Sequence, residues 1–284
     1  MVIADGAAVT HITRDELRAA IGEAHKRGIK VTGHLCSVTY PEAIALGIDN
    51  LEHGFSANTQ NDPDKRPDTC SASAGDYTLD HMAPGSTDAV RLMTSLVSHH
   101  VAITSTLPLR AAGIPGIGNM ADGQPLRPAV LDAMSANLRQ AFEFWHQHPS
   151  NTRTQSALRL RREMDLEREF VAAGGLLLAG PDPVGLSGLV PGFADQREIE
   201  LLVEAGFTPT EAIRIATLNG AVFLRQDNRI GSVAQGKNAD LLVVKGNPAS
   251  RIADVENVEP VFKDGVGYDV GRLLASVKGR YGAY

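Results

Sequence analysis

The stretch VTGHLCSVTYPEAIALGIDNLEHGF, residues 31–55, decides the fold. The run IKVTG (29–33) is followed by His34, and the run IDNLE (48–52) is followed by His53. Between them, Pro41 to Leu46 has the composition of a short helix closed by Gly47. This is strand, helix, strand within one βα repeat, with a histidine at the same level of two neighbouring strands. A third polar residue has the same setting: Asp182 follows LLLA (176–179) and Gly180-Pro181. In a parallel barrel the C-terminal strand ends converge on one mouth, so residues distant in sequence meet around one centre. Neutral imidazole and carboxylate are natural donors for zinc and related divalent ions. His34, His53 and Asp182 are therefore the candidate metal ligands. Asp182 is also the candidate general base on a metal-activated water.

Working outward, strand-length apolar runs alternate with helical patterns, which predicts successive βα units and a parallel sheet. Thr13 with Glu16 forms a capping-box signature that opens a helix reaching about Lys26, ended by Gly28. A polar loop runs from about Phe55 to Gly85, and a helix over 87–99 leads into the β-branched strand VAITSTL (101–107). A Gly/Pro-rich loop (111–126) precedes a long helical stretch from Pro128 to Ala173 with a break near Pro149-Ser150. Strand 175–180 follows, then helices near 194–205 and 209–224, the latter opened by Thr208-Pro209. From Ile230 onward short strands and turns replace the βα pattern. The expected organisation is a partial barrel over 1–229, a small β segment over 230–270 and a tail over 271–284. Only about half of a barrel is present in this reading.

The net charge of −6 leaves no basic stripe for nucleic acid or an anionic membrane. The expected partner is a small-molecule substrate, with a homo-oligomer or a missing N-terminal half as the further possibility. Cys36 and Cys70 are too few for a disulfide framework and too isolated for a zinc–cysteine cluster. No apolar run reaches a membrane span, and Met1 to Gly6 is not a signal peptide. The cytoplasm is the default location, with a leader upstream left open.

The remaining candidates are weaker. Glu52 precedes His53, and strand alternation assigns it to the opposite face as a structural partner. His25 reads as solvated, His99, His100, His146 and His148 as helix-end residues, and His11 and His81 as loop residues. Ser105 and Thr106 stand where a strand end lines a pocket, and Asp64, Lys65, Arg66 and Tyr77 stand in the long loop. No serine-nucleophile elbow, P-loop or dinucleotide fingerprint is present.

The segments at 31–55, LLLAGPDPVG (176–185), GLVPGFADQREIELLVEAGFTPTEAIRIATLNGAVFL (188–224) and RIGSVAQGKNADLLVVKGNP (229–248) resemble the C-terminal part of the amidohydrolase superfamily, nearest to its imidazolonepropionase-like and prolidase-like branch. The resemblance implies an α/β fold: about strands 4–8 of a distorted TIM (β/α)8 barrel, with part of a small β-sandwich. It also implies that His34 and His53 end strands five and six as metal ligands. Asp182 would end strand eight as ligand and proton shuttle in hydrolysis of an amide, cyclic amide or dipeptide-like C–N bond. One or two divalent ions, zinc by default, would be the cofactor. The family's His-x-His pair of strand one has no counterpart in this sequence, and Met1 stands at or next to the strand-four position where many relatives carry a carbamylated lysine. The expectation is accordingly a truncated chain, inactive alone. The alternative is a non-catalytic scaffold or assembly subunit derived from such an enzyme.

Overall fold

A computed structural model describes residues 2–3, 10–112, 114, 128–147, 153–183 and 189–282. Five short strands form one parallel sheet in sequence order: β1 (Val2–Ile3), β2 (Val31–Gly33), β3 (Asn50–Leu51), β4 (Ala102–Ser105) and β5 (Leu177–Ala179). Thr32 lies opposite Asn50, and Leu51 opposite Ile103. Among the described residues no pairing closes β5 onto β1.

The connections are helices whose ends are chemically specified. In α1 (Arg14–Lys26) the Thr13 side chain accepts from the Glu16 N–H, and Glu16 reaches back to Thr13. The same box, Thr39 with Glu42, opens α2 (Tyr40–Leu46), with Pro41 in its first turn and Gly47 at φ 89° closing it. Helix α3 (Asp76–His81) forms inside the stretch expected to be loop, and α4 (Thr87–Ser98) carries Leu92, Met93 and Leu96 into the core.

The expected helix over 128–173 is three: α6 (Pro128–Ala133), α7 (Ala136–Gln147) and α8 (Arg153–Ala172), preceded by the short α5 (Leu107–Ala111). The first break, at Met134 and Ser135, arises because Tyr281 competes for this backbone: Ser135 N–H donates to the Tyr281 carbonyl at 2.8 Å. The break expected at Pro149-Ser150 lies outside the described residues, as does most of the 111–126 loop.

The chain divides into two compact units, Met1–Ser105 with Arg161–Leu178, and Thr106–Leu160 with Ala179–Tyr284. The first holds most of the parallel sheet, packed around Leu35, Leu51, Phe55, Ile103 and Phe170, each at most 1% exposed. The second contains a cluster of Val130, Ala133, Met134, Phe142 and Val190, tied down by Tyr281, whose hydroxyl donates to the carbonyls of Pro183 (3.0 Å) and Leu189 (3.3 Å). It also holds α9 (Phe193–Ala205), at the expected 194–205, and then α10 (Pro209–Arg214), a π-helical turn (Ile215–Asn219) and α11 (Gly220–Phe223), where one helix over 209–224 was expected. An antiparallel sheet β6 (Leu241–Val244), β7 (Val258–Lys263) and β8 (Val266–Asp269) forms the small β segment. Helix α12 (Val270–Val277) follows it, where the sequence reading places a tail.

Candidate active site

The floor of the candidate site is polar. Asn50 Nδ2 donates to Thr32 Oγ1 at 2.7 Å, to Thr104 Oγ1 at 2.8 Å and to Glu52 Oε1 at 3.0 Å, joining three strands. The Thr32 hydroxyl also donates to Glu52. Glu52 is thus a structural partner, as its sequence position indicates.

His34 follows β2 directly and has an exposed side chain, although Leu35 and Cys36 after it are buried. His53 lies two residues past β3 at φ 67°, a left-handed conformation uncommon for a residue with a Cβ. Plain alternation would place His53 on the face of Leu51; because β3 ends at Leu51 and the backbone turns at His53, alternation does not carry through. The two imidazoles lie edge to face, with ring centroids 4.4 Å apart. Two accessible imidazoles at adjacent strand ends fit two donor positions of a nitrogen–oxygen metal site.

The turn that carries His53 is held on every side. Gly54 N–H donates to the Thr104 carbonyl at 2.8 Å, and the buried Tyr40 hydroxyl donates to the Gly54 carbonyl at 2.8 Å. Ser56 Oγ donates to the His53 carbonyl at 2.7 Å, and Phe55 N–H donates to Glu163 Oε1 of α8 at 2.5 Å. Glu167, one turn further along α8, accepts from Ser105 Oγ at 2.9 Å. Glu163 and Glu167 are 2% and 0% exposed. Ser105 is therefore engaged in this network and buried, which removes it as a pocket-lining residue. Glu163 and Glu167 are inconspicuous in the sequence, because they stand in a run dense in charge (LRLRREMDLERE, 158–169) that reads as a solvated helix. The available signal is the spacing Glu163, Glu167, Phe170, one helical face.

Asp182 stands three residues beyond β5, at φ 45° with an exposed side chain, and belongs to the second unit. Among the described residues no group of three or more His, Cys, Asp or Glu is assembled to hold a metal ion. The structure thus brings His34 and His53 together as a pair.

The long loop after His53 is tethered to the end of β2. Cys36 and Cys70 form a disulfide, with Cα atoms 4.9 Å apart, a single bridge that the sequence reading does not propose. Thr59 Oγ1 donates to the Cys36 carbonyl at 2.9 Å and Lys65 Nζ to the Ser37 carbonyl at 2.7 Å. Burial holds the Lys65 ammonium below the usual lysine range. Asp64 accepts from Ala72 N–H, and Tyr77 stacks on His81 with centroids 3.8 Å apart, so three of the four loop candidates have structural partners. Asp62 organises the loop's interior, accepting from Gly75 N–H (2.9 Å), Thr78 N–H (2.9 Å), Thr78 Oγ1 (2.6 Å) and the Ser71 hydroxyl. Burial alone would raise the Asp62 carboxyl; the bonds from Ser71, Thr78 and Gly75 outweigh it and hold the group below the ordinary aspartate value.

The profile of the Amidohydrolase family matches residues 1–267. The chain belongs to the amidohydrolase family. A Xaa-Pro dipeptidase with bound methionine in its active site superposes with a TM-score of 0.57, at 23% identity, over 91% of this chain and 49% of its own. Phenylurea hydrolase B superposes with a TM-score of 0.54, at 20% identity, over 92% of this chain and 48% of its own. Among curated proteins, adenine deaminase 1 of Latilactobacillus sakei subsp. sakei (strain 23K) is 40% identical over 68 residues, 24% of this chain and 11% of that protein. The structural likenesses show the fold, and the chain spans about half the length of those two structures. Among the described residues no helix is long and apolar enough to cross a membrane.

Proposed function

We propose that this chain supplies part of the metal site of an enzyme that hydrolyses a carbon–nitrogen bond in a small amide, cyclic amide or dipeptide-like substrate. The observation that supports it is the His34–His53 pair, two imidazoles 4.4 Å apart at the ends of adjacent parallel strands of an amidohydrolase chain. In this reading β1 to β5 correspond to strands four to eight of a (β/α)8 barrel. His34 and His53 would hold a divalent ion, zinc by default, as neutral imidazoles, and Asp182 would be the further ligand. Such an ion, when bound, supplies a water of lowered pKa and polarises the scissile carbonyl. Asp182 would be the group that accepts a proton from the attacking water and delivers it to the leaving nitrogen. The Asn50–Thr32–Glu52 network ties together the two strands that the histidines follow.

Two histidines and one aspartate are fewer ligands than the family uses, so residues 1–284 alone are expected to bind metal weakly and to lack robust hydrolysis. The test is to read the coding DNA upstream of Met1, express the chain extended by any in-frame sequence, and measure amine release from dipeptides, N-acyl amino acids and cyclic amides. An in-frame His-x-His motif and strand-four lysine, with metal-dependent release lost in His34→Ala and His53→Ala, is the expected result. Release at an undiminished rate in both variants, or no release from any class by the metal-loaded extended chain, would overturn the proposal.

A further inference from the structure

We propose that Glu163 is a positioning residue that holds His53 against His34; this rests on the reading of His53 as a functional residue. His53 and Gly54 are consecutive left-handed residues, at φ 67° and 61°. A backbone in this conformation costs free energy at a residue with a Cβ and persists only where its surroundings over-determine it. Here the surroundings are identifiable. The upstream side of the turn is fixed by Gly54 N–H on the Thr104 carbonyl and by the Tyr40 hydroxyl on the Gly54 carbonyl. The downstream side is fixed by Phe55 N–H, which donates to Glu163 Oε1 at 2.5 Å across a sequence separation of 108 residues.

The carboxylate is itself aimed. Glu163, Glu167 and Phe170 lie on one face of α8, four and then three residues apart; Glu163 and Phe170 meet Phe55 in the turn after β3, and Glu167 meets Ser105 at the end of β4. Phe170 packs edge to face on Phe55 with ring centroids 6.1 Å apart, and Ser105 Oγ fixes Glu167 at 2.9 Å. Gly54 has no Cβ, and one built there would overlap the Glu163 carboxylate and come within 2.9 Å of Glu167 Oε1. The helix therefore approaches the turn as closely as a glycine permits. A buried carboxylate is costly to place, and one placed against the Phe55 N–H beside a strained histidine has a local task. That task is to keep the turn closed, so that the His53 ring stays at its 4.4 Å separation from His34.

Two variants separate a hydrogen-bond acceptor from a charge. Glu163→Met keeps the bulk and loses the acceptor; Glu163→Gln keeps an acceptor oxygen and loses the charge. Three readouts are taken on 1–284 labelled at its histidine rings: the NOE between the His34 and His53 rings, amide exchange at Phe55, and binding of Co2+ followed by its visible spectrum. In Glu163→Met the inter-ring NOE is expected to vanish, Phe55 exchange to rise at least about tenfold, and Co2+ affinity to fall about tenfold, the lower end of what loss of an outer partner costs a metal-binding histidine. Glu163→Gln is expected to retain all three. The idea is overturned if Glu163→Met keeps the NOE and the Phe55 protection, or if Glu163→Gln loses them as fully as Glu163→Met does. A wild-type chain that binds no Co2+ would refute the metal-binding role of His34 and His53, while the NOE and exchange readouts would still decide the role of Glu163.

Discussion

Replacing Gly54 with alanine tests the packing beneath the candidate site by a single methyl group. Gly54 sits at φ 61°, where an L-residue pays roughly 1–2 kcal/mol in backbone conformation. Its new Cβ overlaps the Glu163 carboxylate, whose Cδ lies 2.9 Å from that position, and the nearby Glu167 leaves little room to yield. Moving the carboxylate breaks its bond to Phe55 N–H and leaves a buried donor unpaired, roughly 1–3 kcal/mol more. The expected total is about 2–5 kcal/mol, a large part of the roughly 5–15 kcal/mol that typically separates folded from unfolded chains. Gly85→Ala is the control: Gly85 has φ 72°, but nothing lies within 4 Å of a Cβ built there, so only the backbone share is expected. Urea unfolding followed by far-UV circular dichroism, extrapolated to water for both variants, gives the difference. Equal losses in the two variants would refute the argument, because they would show that α8 does not press on the His53 turn.

Other consequences concern the loop and the second unit. Asp62 is held below its ordinary value, so the stability it contributes is present above the usual aspartate range, about pH 4, and is lost as pH falls through the lower folded-state value. The stability gap between wild type and Asp62→Asn, measured by urea unfolding, should therefore narrow below about pH 4; a constant gap would refute the assignment. Glu200, 1% exposed, is pushed up to about 7 first by burial and then by Glu256, with Arg197 opposing. A carboxyl raised in this way binds its proton more tightly folded than unfolded, so stability falls as pH rises from the ordinary glutamate value of about 4.3 towards 7. Glu200→Gln should remove that slope, and an unaltered pH profile would contradict it. Reducing the Cys36–Cys70 disulfide, which joins residues 34 apart, should cost about 4 kcal/mol by loop-closure entropy. Thiol titration of the unfolded, unreduced protein should find no free cysteine; two would contradict the pairing.

The sequence makes the βα repeats legible because their signals are local. Thr13 with Glu16 and Thr39 with Glu42 announce helix starts at the positions observed, and Gly47 announces a stop. The two histidines were legible for the same reason, each following a short apolar run directly. What escaped depends on contacts between distant segments. At the helix break of Met134 and Ser135 the distant Tyr281 carbonyl accepts from Ser135 N–H, and the local mark is Ser135 itself, whose Oγ accepts from Leu138 N–H at 3.3 Å. The Cys36–Cys70 bridge needs a loop to fold back on β2, and its main organiser, Asp62, has no motif of its own. Glu163 and Glu167 are hidden by the charged run around them, although their spacing with Phe170 marks a single helical face.

The central claim is that His34 and His53 act together on a divalent ion, and a Co2+ titration of 1–284, with His34→Ala, His53→Ala and the double variant alongside, tests it most directly. The account predicts weak binding that saturates at one ion per chain, reduced at least about tenfold by either single substitution and no further by the double one. Binding unchanged in the single variants, or wild-type binding no stronger than that of the double variant, would contradict it.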